Sequence, residues 1–302
     1  MSDAALRYAV VTPVRNDEDN LRRLATALAA QTLRPTRWLI VDTGSSDGTL
    51  RLVDELERTH PWIDALATGS NGAVMRGAPI VRAFHAGVAA LADDVDAVVK
   101  LDADITFEPD HFERVLERFA RDASLGIAGG VGYERTADGA WRQRHGTGPG
   151  VWGANRVYRR ECLEEILPLE ERMGWDTIDL IKATVRGWRT AVFYDIPFRH
   201  HRAEGKRDGT RARTWAIQGR ASHYMGYRFS YLLVRTLYRA VQEPSAIALL
   251  RGYLAAVLRR EPRCTDTSVR AYVRRSQSLR HLPARIVEAR RPRAALDRDV
   301  VA

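Results

Sequence analysis

The stretch VVKLDADITF, Val98 to Phe107, carries an apolar run straight into two carboxylates, Asp102 and Asp104, with only Ala103 between them. Successive side chains on an extended strand point to opposite faces, so residues two apart share one. The two carboxylates therefore point the same way. Like charges that close raise each other's pKa unless a cation or a set of donors neutralises them. A hard divalent metal is the partner such a pair asks for.

Working outward, YAVVTPV (Tyr8–Val14) is a short apolar run ended by Pro13 and predicts a buried first strand. NDEDNLRRLATALAAQT follows with acidic residues near its start and Leu21, Leu24 and Leu28 at helical spacing. RWLIVD predicts a second strand, LRLVDELERTH and GAPIVRAFHAGVAALA two helices, and DAVVKLDAD a third strand. PDHFERVLERFARD then predicts a helix and GIAGGVGY a strand. Strands alternating with helices of roughly 10–15 residues predict right-handed β-α-β units and a mainly parallel sheet, with ligands at the carboxyl ends of the strands. Asp42 and the Asp102/Asp104 pair both fall at such ends.

After Tyr133 the rhythm changes to a loop-rich stretch with glycines at 146, 148, 150 and 153, a composition that lets backbone approach a ligand. The chain has 302 residues, room for one large α/β domain with an appendage or for two modest domains. Cys162 and Cys264 are the only cysteines and have no metal-ligand spacing, which favours a reducing cytoplasm over a disulfide framework. The opening MSDAALRYAVVTPVRN lacks the pattern of a signal peptide, and nowhere do about 18 uncharged apolar residues run together, so no spanning helix is expected.

Charge is unevenly spread. Residues 196–302 hold 23 Lys+Arg and 8 Asp+Glu, whereas residues 1–195 hold 24 and 30. An acidic body with a basic tail suggests an anionic surface or acceptor as partner for the tail. A nucleic-acid binder is the weaker reading, since the excess lies outside the strand-rich body.

VDTGSSDGT places Asp42 at a strand end ahead of Gly44, Ser45, Ser46, Asp47 and Gly48. Such residues also make ordinary turns, and the pattern of a phosphate-cradling P-loop is missing. Asp42 suits a hydrogen bond to a base or ribose.

TPVRNDEDNLRRLATALAAQT, IVDTGSSDGT and VKLDAD stand in the order, and at about the spacing, found in family 2 glycosyltransferases of the GT-A fold. The resemblance covers Tyr8 to Arg202. It implies a Rossmann-like α/β/α sandwich over residues 1–202, with a nucleotide-sugar donor half of about 1–132 and an acceptor half of about 133–202. Residues 203–302 then form a basic loop and a helical extension. The implied activity is metal-dependent transfer of a sugar from a nucleoside diphosphate donor to a glycan or lipid-linked saccharide, as in cell envelope polysaccharide synthesis. By resemblance, Thr12, Pro13, Arg15 and Asn16 border the nucleotide, and Asp42 binds base or ribose. Arg82 matches a basic residue of the helix before the third strand, and Asp102 and Asp104 match the D-x-D that holds Mg2+ or Mn2+. Thr43 stands where many members carry a second Asp.

GWDTID resembles the acceptor-side motif in which an Asp is the general base of inverting enzymes. That assigns Asp176 as base, with Asp179 nearly a turn on and Trp175 beside the acceptor. The alternative for Asp176 is a helix cap. In RHHR, residues 199–202, one of His200 and His201 faces inward if the segment is extended, and by resemblance it completes the metal or diphosphate site. Arg199, Arg202, Lys206 and Arg207 would suit the leaving diphosphate, and AEGKRDGTR a loop that closes on the donor.

GYRFSYLLVRTLYRAV and SAIALLRGYLAAVLRR predict two C-terminal helices. The second is too short to span a bilayer, so it either lies on an anionic membrane face, covers the catalytic domain or joins two copies in a homodimer. The expected place is cytoplasmic, peripheral on the inner face of a membrane. Two rival functions are a nucleotide-sugar binding scaffold with an inactive site and a sugar-phosphate nucleotidyltransferase. TPVRNDEDN lacks the Gly-rich basic loop of the latter.

Overall fold

The computed structural model describes residues 6–69, 77–91, 94–136, 139–143, 150–202 and 210–278. The chain divides into two compact units, Met1–Ala203 and Glu204–Ala302.

In the first unit, strands β1 (Tyr8–Val14), β2 (Arg37–Asp42), β3 (Ile63–Ala67) and β4 (Ala97–Leu101) alternate with helices α1 (Glu18–Ala29), α2 (Thr49–Thr59) and α3 (Ala78–Ala90). Ile63–Ala67 was not expected as a strand. It makes the strand that delivers Asp102 the fourth. There follow β5 (Ile105–Phe107), α4 (His111–Arg121), β6 (Leu125–Arg135), β7 (Trp141–Gln143), β8 (Asn155–Arg159), α5 (Arg160–Ile166), α6 (Trp175–Val185) and β9 (Arg189–His200).

One nine-stranded sheet has the order β3-β2-β1-β4-β8-β6-β9-β5, with β7 on β6. The pairings among β1 to β4 are parallel, as is β6 with β9. Those of β8 with β4 and β6, of β5 with β9 and of β7 with β6 are antiparallel. The sheet is therefore mixed, and its parallel character is concentrated in the first four strands.

Every residue of β1 is buried, as expected for a strand covered on both faces. Its alternate side chains divide between two cores. Val10 and Val14 join Leu21, Leu24, Leu52 and Phe112, under α1, α2 and α4. Ala9 and Val11 join Val81, Phe84, Leu163 and Trp175, under α3, α5 and α6. Register sets Val14 beside Asp42, so the loops after β1, β2 and β4 open at one edge, where α/β sheets bind ligands. Both cysteines are buried thiols.

The second unit holds α7 (Arg211–Tyr224), α8 (Phe229–Gln242), a 3₁₀ turn (Pro244–Ile247), α9 (Ala248–Leu258) and α10 (Thr267–Ser276). Asp266 starts α10 by accepting from the Ser268 and Val269 amides. Helices α7 and α9 cross almost backbone to backbone: a Cβ on Gly252 would stand 2.0 Å from the Ala216 carbonyl oxygen, and one on Gly219 2.0 Å from that of Leu249. The Gly252→Ala variant is expected to lose about 1–3 kcal/mol through overpacking, read as a lowered urea midpoint with an unchanged slope.

Candidate active site

Asp102 and Asp104 leave β4 together but meet different partners. Lys100, two residues before Asp102 and 1% exposed, pairs with the Asp102 carboxylate and donates to the Gly153 carbonyl at 2.7 Å. Its ammonium also lies 5.6 Å from the centroid of the Trp175 ring, a favourable cation–π placement. Asp104 instead faces His200 Nε2 at 3.3 Å and Arg202 Nη1 at 3.7 Å. Arg202 also binds Asp17 after β1, tying the first loop to the end of β9.

These neighbours drive the two carboxylates apart. Burial raises Asp102, Lys100 opposes the rise and the Asp104 charge adds to it. Burial also acts to raise Asp104, but the His200 contact and the Arg202 charge hold it below the usual carboxylate range. For His200, burial works against the charged form; its close contacts with Asp104 and Glu134, with the Asp104 and Asp102 charges, outweigh it and push the imidazole up to about 9. Glu134 Oε1, on β6, stands 3.4 Å from His200 Nδ1.

Strand alternation decides between the two histidines. His200 turns to Asp104, whereas the ring of His201 contacts Thr106 Oγ1 at 2.8 Å and the edge of Trp141. His201 reaches Asp104 only by its backbone, donating to the Asp104 carbonyl at 2.8 Å. Its ring thus meets Thr106 and Trp141, and His200 is the histidine that faces the Asp104 carboxylate. Arg199 pairs with Glu108 at 3.3 Å. Lys206, Arg207, Gly146, Gly148 and most of AEGKRDGTR lie outside the described residues.

Asp42 is buried and already engaged by its own loop, accepting from the Gly44 amide at 2.9 Å and from the Ser45 amide and hydroxyl. Asn16, at φ 50°, clasps the same loop, donating from its amide to Ser45 Oγ at 2.9 Å and accepting from the Ser46 amide at 2.7 Å. Arg15 is half-buried at this edge and Pro13 is within β1. Thr12 is fully buried and accepts from Trp38 Nε1 at 2.9 Å, so its hydroxyl serves the core and is not open to a nucleotide. Arg82 pairs with Glu171 at 3.1 Å, ahead of α6; that pairing turns it to the acceptor-side segment.

Helix α6 begins at Trp175, after Gly174 at φ 86°. Asp176 thus sits inside the first turn, two residues past the capping position held by Gly174. Its carboxylate is half-buried and has no hydrogen-bond partner among the described residues. Gly153 lies against it: a Cβ there would stand 3.3 Å from Asp176 Oδ2 and 3.3 Å from Trp175 Cζ2. Trp175 is 7% exposed. It packs beneath Lys100 and Arg156 and offers no open face for a sugar. Asp179 points into the core. It is 1% exposed, and its carboxylate accepts from Arg156 and, at 2.6 Å, from the Tyr158 hydroxyl. Arg156 also donates to the Asp176 carbonyl at 2.9 Å, so this buried pair fixes the start of α6 and leaves no acceptor contact to Asp179.

Residues 9–234 match Glycosyl transferase family 2. The chain belongs to that family. It is 27% identical over 252 residues to a polyprenol monophosphomannose synthase from Mycolicibacterium smegmatis, spanning 73% of this chain and 91% of the relative. An uncharacterized glycosyltransferase from Nostoc sp. is 27% identical over 188 residues, 55% of this chain and 54% of the relative. Among solved structures, a mannosyltransferase from Pyrobaculum calidifontis in complex with GDP-Man and Mn2+ aligns over 95% of this chain and 88% of its own, with TM-score 0.58 and 17% identity. GalNAc-T7 with UDP, GalNAc and Mn2+ aligns over 81% and 52%, with TM-score 0.59 and 13% identity. The protein is a family 2 glycosyltransferase with the GT-A architecture.

The residues that sequence reading missed are Lys100, Glu134 and Arg156, whereas Gly153 was among the glycines it singled out for close backbone approach. Lys100 had a legible signal, since a cation inside the apolar strand AVVKL needs a buried counter-ion.

Two outcomes test this electrostatic frame. Asp179→Asn leaves the Arg156 guanidinium unpaired in the core and is expected to lower unfolding free energy by about 3–5 kcal/mol, measured by urea titration. Pairing of His200, whose pKa near 9 exceeds the about 6.5 of an unfolded imidazole, stabilises fully below pH about 6.5 and is lost as pH rises through about 9. In metal-free protein the stability advantage of wild type over His200→Gln is therefore expected to shrink by about 3 kcal/mol between pH 6.5 and 9.5.

Proposed function

We propose that the chain transfers a sugar from a nucleoside diphosphate sugar to a hydroxyl or phosphate of a saccharide or lipid-linked acceptor, with Asp176 removing the acceptor proton where the acceptor is a hydroxyl; a phosphate acceptor is already anionic near neutral pH. The observation that carries this reading is that one ammonium, paired with Asp102, also binds the Gly153 segment that lies against Asp176. Lys100 holds the strand end bearing Asp102 and Asp104 against Gly153, and Gly153 lies against Asp176. Asp176 is thereby poised beside the D-x-D edge with its carboxylate uncommitted, as a general base requires.

The donor set suits a hard divalent cation. Asp104 Oδ1 is buried without an aligned hydrogen-bond donor. Mg2+ is commonly held by only one or two carboxylates and completed by substrate phosphates, and among the described residues no three His, Cys, Asp or Glu side chains form a ready-made cluster. Asp104 would hold it, with Asp102 and His200 behind. When bound, the ion supplies Lewis-acid stabilisation of the departing diphosphate. Arg202 adds positive charge beside Asp104. Pro13, Arg15 and Asn16 border the nucleotide, and Asp42 shapes the loop against which the base or ribose rests.

On this reading residues 1–202 are the catalytic domain, its donor half about 1–132 and its acceptor half about 133–202, and 203–302 are an extension. The mannose chemistry in the names of the M. smegmatis and P. calidifontis proteins supports GDP-Man as the first donor and a polyprenyl phosphate as the first acceptor to try. The proposed station is cytoplasmic, at the inner face of a membrane.

The test is a thermal-shift panel of UDP, GDP, dTDP and CDP with and without Mn2+, on wild type, Asp104→Ala and Asp176→Asn, followed by a transfer assay with the matching donor. A metal-dependent shift with one nucleotide, kept in Asp176→Asn and lost in Asp104→Ala, is expected. With a hydroxyl acceptor, turnover by Asp176→Asn should fall by roughly 10²–10⁴. Absence of any shift from folded wild type would overturn the donor-binding reading, a shift without turnover in wild type would favour the binding scaffold, and unchanged turnover in Asp176→Asn with a hydroxyl acceptor would assign the base elsewhere.

A further inference from the structure

Helix α8 presents its apolar side outward. Its buried positions are Leu232 and Thr236 only, while Phe229, Leu233, Val234, Leu237, Tyr238 and Val241 are all exposed. At 3.6 residues per turn these six cover about half of the helix circumference. Leu237 is 58% and Val241 88% exposed. A contiguous apolar face of this kind marks a surface that something else covers.

Charge says what covers it. Residues 210–278 contain 13 arginines and no lysine against three carboxylates, Glu243, Glu261 and Asp266. Those carboxylates are already used within the unit: Glu261 pairs with Arg220, Asp266 caps α10 and Glu243 accepts from Ser245. A second copy on this face would set one basic unit against another. The chain's own residues 279–302 carry six arginines and three carboxylates and would likewise bring cation to cation. A bilayer with anionic headgroups offers what the face lacks, an apolar layer under a layer of phosphates. No helix of the described residues is long and apolar enough to cross a membrane, so contact would lie along the surface.

We propose that α8 is a membrane-contact helix, its Phe229-to-Val241 face seated in the interfacial layer of a bilayer rich in anionic lipid, with arginines of the same unit against headgroup phosphates. This shifts the expectation from α9, whose Leu249, Gly252 and Tyr253 are buried and whose glycine is in close contact with α7. It does not depend on the transfer reaction, because vesicle binding needs neither donor nor acceptor.

The test is flotation of the full chain with vesicles of phosphatidylcholine alone or mixed three to one with phosphatidylglycerol, for wild type, Leu237→Glu/Val241→Glu and the milder Val241→Ser. Wild type should float with the anionic vesicles and far less with the neutral ones. The double variant should show a tenfold or greater loss of partitioning at an unchanged melting temperature, and Val241→Ser a smaller loss. The proposal is overturned if wild type floats with neither vesicle, or if both variants float as wild type does. It is equally overturned if light scattering shows a dimer that the substitutions dissociate, which would assign the face to a second copy.

Discussion

One buried ammonium organises the sheet edge that carries the candidate site. Lys100 lies in a strand whose neighbours are all apolar, where an unpaired charge would be prohibitively costly. Its position is tolerable because three things converge on it: the Asp102 carboxylate, the Gly153 carbonyl and the face of Trp175. Each comes from a different part of the chain. Satisfying Lys100 therefore fixes the strand end, the segment before β8 and the start of α6 at once, and the placement of Asp176 follows.

Two further cations repeat the device. Arg156 on β8 binds Asp179 and the Asp176 carbonyl, locking the first turn of α6 from below. His200 on β9 stands between Asp104 and Glu134, joining the exit of β4 to β6. The parallel strands and the antiparallel ones are thus stitched by charge as well as by the ladder. Buried pairs of this type add less stability than their Coulomb energy suggests, yet removing one partner is severe. Their effect here is geometric, since they leave few arrangements of α6 against the sheet.

Much of this was legible in the sequence, and the remainder failed for physical reasons. The apolar runs of β1, β2 and β4 and the spacing of Leu21, Leu24 and Leu28 are local signals, and those elements form where expected. Ile63–Ala67 was missed because only its first residue is fully buried, so its pattern lacks the apolar run that announced the others. Strand β8 was hidden by Arg156, a charge that looks like loop composition until its partner on α6 is known. Asp179 and Thr12 read as site residues by motif position. What a motif cannot give is the direction in which a neighbouring buried cation or indole draws a side chain.

The carboxylate pair in VVKLDADITF is answered within the chain. Asp102 is neutralised by Lys100, Asp104 by His200 and Arg202, so the edge is stable as a protein surface without any ligand. Those neutralisers are not equivalent. Lys100 is sealed in the core and keeps Asp102 committed, whereas the charge on His200 is a proton that can leave. On the proposed reading a divalent cation and the His200 proton compete for Asp104, and loading the site exchanges one positive charge for another. The pair is then less a vacant cradle than a site whose cation can be exchanged at Asp104 while Asp102 holds the frame.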